Sequence, residues 1–179
     1  MTHTMNRRSF LKASVLTGGG FLLEMSLPAS LLGEELGTLV GSKELNAYIK
    51  IASDGQITIY SATPEMGQGI KTTLPMVIAE EMGAKWEDVV VLDAPIDPKK
   101  FGMQGAGGST SVPRNFDIMR RMGASAREML ISAASKSMEV NREELEARDS
   151  KVIHASGESL TFGQLAASAV RQPVPDPEM

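Results

Sequence analysis

The sequence predicts an α+β fold, a small mixed sheet containing a β-hairpin with helices packed against it. Three features carry the prediction. The stretch "AYIKIASDGQITIY" alternates apolar and polar residues on both sides of a turn. The run "VVVLD" is short, β-branched and apolar. Two segments, one before that run and a longer one after residue 111, repeat their apolar residues at helical spacing.

In chain order, Ile49 and Ile51 alternate on the outgoing strand, Ser53-Asp54-Gly55 supplies the turn, and Ile57 and Ile59 alternate on the return. Ile70, Leu74, Val77, Ile78 and Glu81 then mark an amphipathic helix from about Gly69 to Met82. Val89 to Asp93 suits a buried strand. Phe116, Met119, Gly123, Ala126, Leu130 and Ala133 form one face of a long helix, and its small residues at Gly123 and Ala126 call for a closely packed neighbour, expected to be a partner outside this chain. Asn141-x-x-Glu144 can start a short helix, and Thr161-x-x-Gln164 fits a capping box. Between them "KVIHASGESL" reads as a strand and turn.

The ends read differently. "NRRSFLK", with Arg7 and Arg8, followed by the apolar run from Ala13 to Leu23, has the layout of a twin-arginine export signal, so residues 1–36 are expected to be signal and linker. The expected location is the periplasm, with membrane attachment if the signal is retained. Residues 42–170 suffice for one domain. Residues 171–179 contain three prolines in the last seven positions and read as the start of an extended linker.

Composition removes several function classes. Without residues 1–12 the chain keeps 15 basic against 22 acidic side chains, net −7, which disfavours a nucleic-acid partner. With no cysteine it can form no disulfide and ligate no iron–sulfur cluster, and with only His3 and His154 a histidine metal site is not expected.

Two glycine-rich turns remain, each followed by a helix. "QGAGGSTS", Gln104 to Ser111, offers flexible backbone, three hydroxyls at Ser109, Thr110 and Ser111, and the unpaired amides of a helix start, with Pro113 suited to the first turn. It is not a Walker loop, because Gly108 is followed by Ser109 rather than lysine; it is not a dinucleotide fingerprint, because Thr110 stands where a third glycine belongs. "PEMGQG", Pro64 to Gly69, adds Gln68, whose amide can both donate and accept, as recognition of a heterocyclic edge requires. Taken singly, each is also what an ordinary surface turn would look like.

Together, "PEMGQG", "WEDVVVLDAPIDPKKFG" and "GAGGSTS" before a long helix resemble the molybdenum-binding large subunit of the xanthine oxidase family, and within it the exported isoquinoline 1-oxidoreductase beta-subunit type. The resemblance covers nearly the whole chain. It implies that residues 42–170 are part of a larger molybdenum-cofactor-binding domain holding molybdopterin, in its cytosine dinucleotide form. Gly67, Gln68 and Gly69 would meet the pterin, and Gly107, Gly108, Ser109, Thr110 and Ser111 the polar and phosphate parts. The implied reaction is oxidation of an N-heterocycle or aldehyde, with a glutamate as general base and electrons leaving through a separate 2Fe–2S small subunit.

Family subunits are several times longer, and their catalytic glutamate lies in a far C-terminal glycine-rich motif with no counterpart here. The resemblance therefore implies an N-terminal segment, inactive without the remainder of the large subunit, and no catalytic residue is assigned. Glu65, Glu80 and Glu81 are candidates for a base by chemistry only: Glu80 and Glu81 read most simply as a solvated helix face, and Glu65 belongs to the cofactor motif with nothing in the sequence to show it a base. Two other classes fit the same loops: an exported module binding a small polar ligand without redox chemistry, and a structural fragment that only docks to a partner.

Overall fold

A computed structural model of the chain describes residues 48–175 and the backbone of one strand at Phe21–Leu23. The predicted class is the one found, α+β. A mixed sheet has the order β1 (Phe21–Leu23), β2 (Ile49–Ile51), β3 (Ile57–Ser61) and β4 (Val89–Asp93). The first two pairings are antiparallel and β3–β4 is parallel, so α1 (Ile70–Met82) serves as the crossover that a parallel pair needs. A short helix α2 (Pro98–Phe101) and the long helix α3 (Ser111–Met138) follow. A second, antiparallel sheet of β5 (Leu145–Arg148), β6 (Lys151–His154) and β7 (Ser159–Thr161) leads into α4 (Phe162–Ala169).

The core follows from the periodicities. Ile49, Ile51, Ile57 and Ile59 of the hairpin are buried together with Ile70, Leu74, Ile78 and Met82 of α1, and Met119, Met122, Ala126 and Leu130 of α3 complete the layer. The hairpin turn forms where Ser53-Asp54-Gly55 predicts it, with the Asp54 carboxylate accepting from the Gln56 amide at 3.0 Å. The capping box is present in full: Thr161 Oγ1 accepts from the Gln164 amide at 3.2 Å, and Gln164 Oε1 accepts from the Thr161 amide at 2.8 Å. The Asn141 signal yields a single 3-10 turn, Arg142–Glu144.

Three expectations change. The strand Val89–Asp93 forms, but it is not buried: among the described residues β4 pairs on one side only, and Val90 and Leu92 face outward. On α3, Phe116 is 41% exposed. At about 100° per residue it lies ~60° from Met119, on the side opposite Ile118, Met122 and Met129, which are buried. The third change concerns the small residues, which do not wait for a partner outside the chain. α1 fills that face: a Cβ at Gly123 would stand 2.5 Å from the Ile78 carbonyl oxygen and 2.8 Å from Glu81 Cβ.

The export motif "NRRSFLK" and residues 176–179 lie outside the described residues. Phe21–Leu23, the end of the apolar run assigned to the signal, pairs with β2. No helix among the described residues is long and apolar enough to cross a membrane.

Candidate functional site

Both glycine-rich loops emerge from the same end of the domain, because α1 and α3 run in the same direction. Pro75 shares a shallow pocket with Asn115 and Met119; one turn on, Ile78 touches the position of Gly123; further on, Arg127 Nη1 donates to the Glu81 carbonyl at 3.0 Å. That parallel register carries the start of α1 at Ile70 to the level of the start of α3 at Ser111. Thr63, just before "PEMGQG", and Met103, just before "QGAGGSTS", line the same pocket. Two helix N-termini, each carrying partial positive charge, therefore point the same way beside one cleft.

The first loop is organised from within. Glu65 Oε1 accepts from the amides of Gly67 at 2.6 Å and Gly69 at 3.1 Å, and Oε2 accepts from the amide of Lys71 at 3.1 Å. Donation from Lys71, then from Gly69, holds the Glu65 carboxyl below the usual carboxylate range. A carboxylate so stabilised is a poor general base, and its place is at the N-terminus of α1. Gln68 also turns inward: Oε1 accepts from the Met66 amide at 2.6 Å and Nε2 donates to the Pro64 carbonyl at 2.8 Å. One further Oε1 lone pair and one further Nε2 hydrogen remain for a ligand. Gly67 and Gly69 have φ of 96° and 79°, the left-handed region in which a side chain is strained.

The second loop is braced at its start and open at its centre. Gln104 Nε2 donates to the Pro95 carbonyl at 2.9 Å, and Gln104 Oε1 accepts from the Asp97 amide at 2.7 Å. Thr110 Oγ1 donates to the Gly107 carbonyl at 3.1 Å. Gly108 and Ser109 both adopt positive φ, 59° and 57°. Thr110 is the N-cap of α3, yet no side chain caps the helix. A Cβ built on Gly105 or Gly107 would meet nothing within 4 Å, and neither residue has positive φ. Packing among the described residues does not require glycine at either place.

Sequence reasoning missed Arg114. It lies in the first turn of α3, where a cation opposes the helix dipole, and it donates from Nη2 to Thr110 Oγ1 at 3.0 Å. No acidic side chain pairs with it among the described residues. The missed signal was an arginine three residues beyond a Ser-Thr-Ser run. At the first loop, by contrast, Lys71 Nζ pairs with Asp93 at 2.6 Å. Glu81 is not on a solvated face: it is 19% exposed and pairs with Arg120 and Arg127 of α3, whereas Glu80 is exposed. Met66, Met103, Val112 and Phe116 leave apolar surface around the same end.

The family model for the molybdopterin cofactor-binding domain matches residues 25–177. Among curated relatives, the isoquinoline 1-oxidoreductase subunit beta of Brevundimonas diminuta is 35% identical over 69% of this chain and 17% of its own length. The membrane-bound aldehyde dehydrogenase [pyrroloquinoline-quinone] of Gluconacetobacter polyoxogenes is 30% identical over 92% of this chain and 21% of its own. The chain thus spans about a fifth of the length of these relatives. In fold it is similar to reconstituted CO dehydrogenase from Oligotropha carboxidovorans, with TM-score 0.56 and 20% identity over 90% of this chain and 20% of that one.

Proposed function

Because the chain belongs to the molybdopterin cofactor-binding domain family, as its two loop motifs led one to expect, we propose that Pro64–Gly69 and Gln104–Ser111 form one side of a seat for molybdopterin in its cytosine dinucleotide form. The single observation that carries this reading is the pair of glycines, Gly105 and Gly107, whose missing side chains answer to nothing among the described residues and leave room for a ligand against the backbone. The donor chemistry also fits. The start of α3 without a side-chain cap, the hydroxyls of Ser109 and Ser111, and the guanidinium of Arg114, which has no acidic partner among the described residues, suit phosphate oxygens. Gln68 suits the polar edge of a pterin through its remaining donor and acceptor.

Bound there, the cofactor supplies the molybdenum redox centre of a hydroxylase that oxidises an N-heterocycle or an aldehyde. That substrate class is supported by the names of the relatives, one acting on isoquinoline and another on aldehydes. This chain's own residues hold one face of the group, and the remainder of the large subunit closes the seat and supplies the base. In this reading electrons leave to a separate 2Fe–2S subunit, and the chain itself has no cysteine with which to hold a cluster. The test is metal and pterin analysis of the chain co-purified with the remainder of the subunit. One molybdenum and one pterin per complex are expected, and their joint absence would favour a simple binding module or a docking fragment.

We further infer that the chain is exported through its N-terminal Arg-Arg motif and works in the periplasm, a route suited to a protein that acquires its cofactor before crossing the membrane. Changing Arg7 and Arg8 together to lysine should leave the protein in the cytoplasm, since an ammonium does not reproduce the paired guanidinium fork. Fractionation of cells expressing both forms decides this, and periplasmic accumulation of the Lys-Lys form would refute it.

A further inference from the structure

We propose that Glu65 is a positioning residue that acts as an internal anion: its carboxylate fills the amide nest of the first loop, refuses an external phosphate there, and so fixes which way round the cofactor lies. The inference deepens the molybdopterin reading and rests on it for the identity of the ligand. The amide nest itself is independent of that reading.

Three convergent amides, those of Gly67, Gly69 and Lys71, make the kind of backbone concavity that binds anions, and here both oxygens of one carboxylate occupy it. Residues 64–69 are exposed, so burial does not force an acid into this place. Its consequence is electrostatic. The parallel starts of α1 and α3 would otherwise present two similar positive ends side by side, and a ligand with one anionic end could dock on either.

Glu65 cancels the first of these ends, and the Lys71–Asp93 pair removes the nearby cation as well. At the second loop the helix start has no side-chain cap, and Arg114 adds positive charge with no acidic partner among the described residues. The two loops therefore differ in sign. A ligand in which a phosphate group lies to one side of an uncharged heterocycle, as the pyrophosphate of a dinucleotide lies to one side of its pterin, is bound in one sense, with the phosphate on Gly107–Ser111 and the ring edge on Gln68. Gln68 depends on Glu65 in the same arrangement: its oxygen is held by the Met66 amide, inside the turn that the Glu65 carboxylate closes.

The experiment is a titration of the full 179-residue chain with inorganic phosphate, followed through its backbone amide resonances. In the wild type, the amides of Gly67, Gly69 and Lys71 should not move. In Glu65→Ala, the vacated nest should admit phosphate, and the same three amides should shift and saturate. Glu65→Gln keeps an acceptor oxygen and should show the same response more weakly, which covers the case in which the alanine variant does not fold. A loss of stability alone, with no gained anion response, is what a merely structural carboxylate would give and would overturn the proposal. Movement of these amides in the wild type would overturn it equally. The response of Gly107 to Ser111 is read separately: silence there counts against the molybdopterin reading and leaves the decision on Glu65 to the first loop.

Discussion

Replacing Gly123 by leucine should destabilise the domain by about 3 kcal/mol, the upper end of what overpacking a filled interior costs. Even a Cβ at this position would stand 2.5 Å from the Ile78 carbonyl oxygen and 2.8 Å from Glu81 Cβ, and the first of these is backbone that cannot rotate away. The leucine could be housed only if α1 and α3 moved apart, and that would open the contacts of Met119, Met122 and Ala126, all buried in the same layer. The gain from removing a glycine inside a helix, about 1 kcal/mol, opposes the loss without reversing it. Urea unfolding followed by circular dichroism measures the net effect. An unchanged midpoint would mean that α1 does not pack on α3 at Gly123. The same variant should also weaken cofactor retention, since the parallel packing of these two helices brings the loops to one end.

The second large effect is functional and comes without a matching loss of stability. A valine at Gly107 should leave the unfolding free energy within about 0.5 kcal/mol, as for other exposed substitutions that break no feature of the fold. The space around its Cβ is open and the backbone is not in the left-handed region. Retention of the cofactor should nevertheless fall about tenfold or more, equivalent to about 1.4 kcal/mol, because the branched side chain would occupy the room left for the ligand. Gly108→Val should lose retention as well, but its φ of 59° adds backbone strain and makes the comparison less clean.

What could be read from the sequence was local in its physics. The hairpin, the α1 and α3 segments and the Thr161–Gln164 capping box each depend on residues a few positions apart, and each formed where their spacing placed it. The burial of β4 was misjudged because a short apolar run does not distinguish a central strand from an edge one, and only the pairing with β3 alone decides it. β5 was missed because "LEAR" has the composition of a helix and becomes a strand only by pairing with β6.

The site follows the same division. The glycines and Gln68 announced two turns before helices, but the parallel register that sets those turns side by side lies in contacts between α1 and α3 more than thirty residues apart. Glu65 was legible as part of a motif and not as the acceptor of three amides, since that geometry exists only once the turn closes. Arg114 stood three residues beyond the Ser-Thr-Ser run, but that spacing gained meaning only when the helix start was found without a side-chain cap.

The claim that these loops seat a molybdopterin is tested most directly by the molybdenum and pterin content of the chain co-purified with the remainder of its subunit, measured side by side for the wild type and Gly107→Val at equal folded stability. The expected result is about one molybdenum and one pterin per wild-type complex, and a tenth of that or less in the variant. Equal content in the two proteins, with the valine in place and the fold intact, would contradict it.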